Sequence, residues 1–157
     1  MRKELVNFVL KHPVPNPLHA TLTEKQVSNG VAIDDIRSER NFRHFQNLLN
    51  RKVFGNAYRR YGKKLKTIVV REVGGGGRHH LHCIIEMPDR HASDSFCELV
   101  RECWWSTDFG YHQTHLHVPL DASERTGYLK YIMKNQTKPR GLLDSIDWVN
   151  STTFETL

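Results

Sequence analysis

IVVREVGGGGRHHLHCIIEMP, Ile68 to Pro88, reads as a β-hairpin around which the rest of the chain is arranged. Ile68-Val69-Val70-Arg71-Glu72-Val73 is β-branched and stops at the run Gly74 to Gly77; His80-Leu81-His82-Cys83-Ile84-Ile85 follows and ends at Pro88. Alternate residues of a strand share a face, so His80 and His82 project together while Leu81, Cys83 and Ile85 point the other way. By the same rule Ile68, Val70 and Glu72 line one face of the first strand, and closure through the glycines would set the Glu72 carboxylate beside two imidazoles. Nitrogen and oxygen donors mixed in this way suit Mn²⁺ or Mg²⁺, and also Zn²⁺. The residues alone leave a plainer alternative open, in which His-x-His is the half-exposed polar face of an ordinary strand.

The hairpin resembles the second motif of the HUH endonucleases, the rolling-circle replication initiators and their relatives, named for a histidine-hydrophobe-histidine strand. In the initiators of small circular DNA viruses and plasmids a glutamate on the preceding strand completes the metal site, and Glu72 stands before His80 at the corresponding interval. Leu18 to Thr23, LHATLT, alternates apolar and polar residues as a half-buried strand does. It resembles the family's first motif, a hydrophobic strand ending in Thr-Leu-Thr, here without the leading aromatic; the resemblance implies that Thr21 and Thr23 help to position DNA. Tyr131-x-x-Lys134 resembles the third motif, the catalytic tyrosine. Tyr128, three residues earlier, is a candidate second tyrosine, although the two-tyrosine pattern has a spacing of four.

Composition bounds the partners. The 157 residues suffice for one domain with a real core and are too few for a nuclease joined to a full helicase. A net charge of +6 favours a polyanion, nucleic acid before membrane. Cys83, Cys97 and Cys103 are odd in number and form no C-x-x-C pair, which argues against a disulfide framework or a zinc ribbon and for a reducing compartment. The start, MRKELVNFVLKHP, is a poor secretion signal, and no apolar run reaches membrane-span length; the expectation is a cytoplasmic protein, or one resident wherever its replicon resides.

In chain order, Pro13, Pro15 and Pro17 forbid a continuous helix and suggest that residues 1–16 form an arm laid over the domain. Phe42, Phe45, Leu48, Leu49 and Val53 fall at helical spacing from Ser38 to about Val53. The stretch from Phe54 to Lys64 interleaves aromatics with Arg59, Arg60, Lys63 and Lys64, a composition that suits phosphate contacts with base stacking and equally a solvated linker. Beyond the hairpin, Ser95 with Glu98 has the form of a capping box, and Phe96, Leu99, Val100, Cys103 and Trp104 define a core helix ending near Ser106. Tyr111 to Leu120 alternates again and holds a rival pair, His115 and His117. A further helix opens at Asp121 with Glu124 three residues on and carries Gly127 to Lys138; Leu129, Ile132 and Met133 form its core face, and Lys130 and Lys138 add to its positive charge. Pro139 to Leu157 contributes Leu142, Leu143, Ile146 and Trp148 to a segment packed back on the domain. The glycine run lacks a following lysine and helix, so it is not a phosphate-binding loop.

The order of elements predicts an α+β domain, an antiparallel sheet with helices packed on one face, of ferredoxin-like or RNA-recognition type, leaving the other face for the site. What the resemblance implies is a metal-dependent, site-specific endonuclease and strand transferase for single-stranded DNA at a replication origin, with a neighbouring DNA hairpin and a helicase in trans as further candidate partners. Glu72, His80 and His82 would hold Mn²⁺ or Mg²⁺, Tyr131 would attack phosphorus to leave a 5′-phosphotyrosine, and Lys134 would position the metal or neutralise the phosphate. Three alternatives stand beside it: a single-tyrosine transposase of the same superfamily, a non-catalytic single-strand-binding module on the same kind of sheet, and a histidine-rich zinc-binding structural protein.

Overall fold

A computed structural model describes residues 2–88, 92–134 and 141–155. Helix α1 (Arg2–Leu10) precedes strand β1 (Pro17–Glu24) and a small hairpin, β2 (Val27–Ser28) and β3 (Val31–Ala32). Helices α2 (Asp35–Phe54) and α3 (Asn56–Tyr61) lead to β4 (Thr67–Val73) and β5 (His79–Glu86), followed by α4 (Ser93–Trp105), β6 (Gly110–His117), α5 (Ala122–Ile132), α6 (Leu142–Ser145) and a 3₁₀ turn (Thr152–Phe154). The four long strands form one antiparallel sheet in the order β4-β5-β1-β6. The anticipated α+β architecture is therefore the one adopted.

Strand alternation divides the core in two. Leu18, Ala20, Leu22, Val69, Leu81, Cys83 and Ile85 meet Phe42, Phe45 and Leu49 of α2 and Phe96, Val100 and Trp104 of α4, all buried. Each large apolar side chain among them contributes about 1.5–3 kcal/mol by leaving water, which makes this aromatic-rich layer the main support of the sheet. The opposite face is not bare. Ile68, Val70 and Ile84 are covered by Val9 of α1, by Leu129, Ile132 and Met133 around the end of α5, and by Leu142 and Ile146. Helices thus lie on both faces, because α5 has an apolar side of its own that is buried against the β4–β5 end of the sheet.

Several boundaries differ from expectation for local reasons. The N-terminal arm is helical up to Leu10, since its prolines begin only at Pro13, and Leu5, Val6, Phe8 and Val9 turn toward the second core. Helix α2 starts at Asp35 rather than Ser38 because the Asp34 carboxylate accepts the Arg37 amide at 2.7 Å and caps it. Ser95 is not a cap: it lies inside the first turn of α4, its hydroxyl bonded back to the Ala92 carbonyl at 2.9 Å, and Glu98 pairs with Arg101 instead. Helix α5 does begin at the Asp121 cap, where the carboxylate accepts the Glu124 amide at 2.9 Å. It ends at Ile132, short of the expected Lys138, and the Lys134 amide closes its last turn on the Tyr131 carbonyl. Lys138 lies outside the described residues.

The segment after α6 shields the β4 edge: Val70 bridges Ile146, the Asp147 amide donates to the Val69 carbonyl, and the Val69 amide donates to the Ser151 hydroxyl. Gly110 opens β6 where nothing larger fits, since a Cβ there would lie 1.8 Å from the Trp104 carbonyl oxygen. That contact seats the end of α4 directly on the strand that follows it.

Candidate functional site

Register assembles the site. Glu72 of β4 lies opposite His80 of β5, and His80 and His82 lie opposite Thr23 and Thr21 of β1. Thr21 in turn faces His115 of β6, and His19 faces His117. All these side chains share the sheet face that carries α5. The hairpin is closed by Gly76 and Gly77 at positive φ (86° and 78°), which lets β4 turn back with Glu72 in line with the histidines.

The side chains make specific contacts. Nε2–H of His82 donates to the Glu72 carboxylate at 2.8 Å. Nδ1 of His82 shares a hydrogen bond with the Thr21 hydroxyl at 3.2 Å, and Nδ1 of His80 shares one with the Thr23 hydroxyl at 3.3 Å. The distal edge of the His80 ring faces the glycine loop, where a Cβ on Gly74 would lie 3.4 Å from Nε2. Among the described residues no group of three His, Cys, Asp or Glu side chains is gathered as a finished ion site. The donor set nevertheless fits a divalent ion: two imidazoles held through Nδ1, with a carboxylate from the next strand, are ligands of the kind that Mn²⁺ or Mg²⁺ accepts. Without an ion, Glu72 and His82 satisfy each other.

The two tyrosines differ sharply. Tyr131 is 53% exposed, its ring edge-on to His82 at 5.9 Å between centroids, with the Lys134 ammonium 5.0 Å from its own centroid. Tyr128 stacks on His19 at 4.1 Å and donates its hydroxyl to the Ala20 carbonyl at 3.0 Å. Burial pushes the Tyr128 phenol pKa well up, with further rises from Cys83 and Tyr131, against a hydrogen bond with Thr21 that lowers it. His19 is pushed down to about 4, first by burial and then by His117. Sequence reasoning had passed over His19, although its place two residues before Thr21 in an alternating strand puts it on the same face.

The remaining candidates are spread more widely. His115 and His117 lie on the far side of β1 from the hairpin, and His117, which is exposed, pairs with Glu124 at 3.1 Å. Lys130 is exposed on α5, one residue from Tyr131. Arg59, Arg60, Lys63 and Lys64 are exposed on and after α3, next to the start of β4 at Thr67. Glu72 is five residues further along β4, about 17 Å at ~3.4 Å per residue, so the structure does not bring the basic stretch to the histidines. Lys64 is paired with Glu155, and Lys63 stands over the Phe54 ring.

Comparison with known proteins agrees with this arrangement. No curated protein and no solved structure matches the chain. Residues 18–136, which span the sheet from the start of β1 and run past the end of α5, match the family model described as Replication-associated protein, of the ORF2 type. That match takes in Thr21, Glu72, His80, His82 and Tyr131 together and covers well over half of the chain, which therefore belongs to this rolling-circle replication family.

Proposed function

We propose that the protein nicks single-stranded DNA at a replication origin and transfers the cut strand through a covalent tyrosine intermediate. The observation that carries this reading is the exposed Tyr131 phenol beside His82, at the end of the helix laid across the histidine face. A phenol is largely neutral at pH 7 and attacks poorly, so the reaction needs charge stabilisation at phosphorus and an oriented oxygen. Glu72, His80 and His82 would hold a divalent cation, Mn²⁺ or Mg²⁺, which when bound polarises the scissile phosphate.

The chain's own groups supply the rest. Packing of Leu129, Ile132 and Met133 against Ile68, Val70 and Ile84 fixes the helix end that bears Tyr131. The Tyr131 oxygen forms a bond to phosphorus as the bond to the departing 3′ oxygen breaks; the phenol loses its proton and the 3′ oxygen gains one. One phosphodiester replaces another, so the free 3′-hydroxyl can reverse the step without a nucleotide cofactor. Lys134, held over the Tyr131 ring, offers a positive charge to the phosphate. Lys130, Thr21, Thr23 and the basic stretch Arg59, Arg60, Lys63 and Lys64 are candidates for contacts to the strand.

Incubation with single-stranded DNA and Mn²⁺, followed by peptide mapping of the adduct, tests the proposal. The expected result is a phosphotyrosine at Tyr131, lost with chelation and in His80→Ala/His82→Ala. An adduct at Tyr128, or undiminished cleavage by the double histidine variant, would refute it.

A further inference from the structure

We infer that Thr21 and Thr23 are positioning residues for His82 and His80, and that their hydroxyls let each imidazole change tautomer when a cation arrives. The inference rests on the reading above and goes beyond it by giving the threonines a role other than contact with DNA. It starts from geometry. Each threonine lies directly opposite its histidine in the β1–β5 register, and each hydroxyl is within hydrogen-bond distance of Nδ1, at 3.2 and 3.3 Å. Thr23 is buried and Thr21 only partly exposed, so neither presents its hydroxyl freely to a strand lying on the sheet.

The pairing of His82 with Glu72 makes the choice of partner meaningful. In the state described, Nε2 carries the proton and donates it to the carboxylate, so Nδ1 of a neutral ring is an acceptor and the Thr21 hydroxyl donates to it. To hold a cation through Nε2, the same ring must free that lone pair, which moves the proton to Nδ1. A backbone carbonyl or carboxylate at Nδ1 would accept in one state and be repelled in the other. A hydroxyl both donates and accepts, so it satisfies Nδ1 in either state.

When Thr21 becomes the acceptor, its own proton needs a destination, and the Tyr128 phenol with which it hydrogen-bonds supplies one. The Tyr128 proton is already committed to the Ala20 carbonyl, leaving the phenol oxygen able to accept. A chain therefore runs from His82 through Thr21 and Tyr128 to a backbone carbonyl. It gives the buried tyrosine a function that needs no nucleophilic chemistry.

The test uses the full chain with Thr21→Val and Thr23→Val, which keep the branched shape, and Thr21→Ser and Thr23→Ser, which restore the hydroxyl. Calorimetric titration with Mn²⁺ should show about 10- to 100-fold weaker binding for each valine variant, as expected for loss of a group that orients a ligand, and recovery with serine. Affinity for single-stranded DNA in EDTA should stay within a factor of two. Side-chain ¹⁵N spectra should show His82 protonated at Nε2 without metal and at Nδ1 with Mg²⁺ in the native protein. Native Mn²⁺ affinity in both valine variants overturns the inference, as does a loss of DNA affinity in EDTA, which would make the threonines strand contacts. Native Mn²⁺ affinity in His80→Ala/His82→Ala would instead overturn the site assignment, so the two failures are separable.

Discussion

Tyr128 and Tyr131 sit one short helical step apart, yet one hydroxyl is spent on a backbone carbonyl and the other is left at the surface. Tyr131→Phe should therefore abolish adduct formation while leaving DNA affinity within a factor of two. Tyr128→Phe should retain cleavage and weaken Mn²⁺ binding by a few-fold, readable by titration. Glu24 offers a second check at the scale of single residues. Its carboxyl is wholly buried on the α2 face near Ser38, Arg71 and Asp147, and burial raises its pKa from 4.5 to about 7. Between those values the folded protein keeps a proton that the unfolded chain releases, so this group's contribution is complete below pH 4.5 and is lost as pH rises through 7. Glu24→Gln removes that loss. The stability difference between variant and native protein, from urea melts, should move in the variant's favour by on the order of 3 kcal/mol from pH 4.5 to pH 8. A difference that does not change with pH would count against the buried neutral carboxyl. His19, shifted the opposite way, titrates in both proteins and cancels.

Among the elements, α5 decides whether the site exists. Its hydrophobic side is short, and Leu129 carries much of it against Ile68, Val70 and Ile84. Leu129→Ala should cost about 2–5 kcal/mol in urea denaturation, the range for an aliphatic side chain removed from a packed core. Because Tyr131 rides on the same turn, adduct formation should fall more steeply with temperature in this variant than in the native protein. The junction of α4 and β6 is equally intolerant. In Gly110→Ala the new methyl cannot coexist with the Trp104 carbonyl, so the backbone must move and stability should drop by at least the ~1–3 kcal/mol typical of overpacking. A native melting curve for that variant would show that the helix end is not seated as described.

For the whole molecule, the excess of positive charge implies a salt-dependent grip on DNA, and the fold separates two groups of cations that compete to supply it. Lys130 and Lys134 flank Tyr131, whereas Arg59, Arg60, Lys63 and Lys64 lie toward the opposite end of the sheet. Each phosphate contact adds about 0.7 to the slope of log affinity against log salt for a single strand. The slope should fall more in Lys130→Ala/Lys134→Ala than in Arg59→Ala/Arg60→Ala. The reverse order would mean that the strand crosses α3 on its way to the tyrosine. Among the described residues no helix is long and apolar enough to cross a membrane.

The alternation of residues 18–23, 68–73 and 80–85 was enough by itself to define three strands, the two faces of the sheet, and the co-location of Glu72, His80 and His82. A strand has a period of two, so face follows from parity without knowledge of any neighbour. The core helices were legible for the same reason at their own period, as was the Asp121 cap. Parity does not say what lies across from a residue, however. That Thr21 and Thr23 meet the histidine rings follows only from the pairing of β1 with β5, which closes a loop of some sixty residues. Nor does helical spacing tell which of two tyrosines three apart is covered. Both belong to one broad side of α5, and only its seating on the sheet, with His19 beneath Tyr128 and solvent beside Tyr131, separates a buried clamp from an exposed nucleophile candidate.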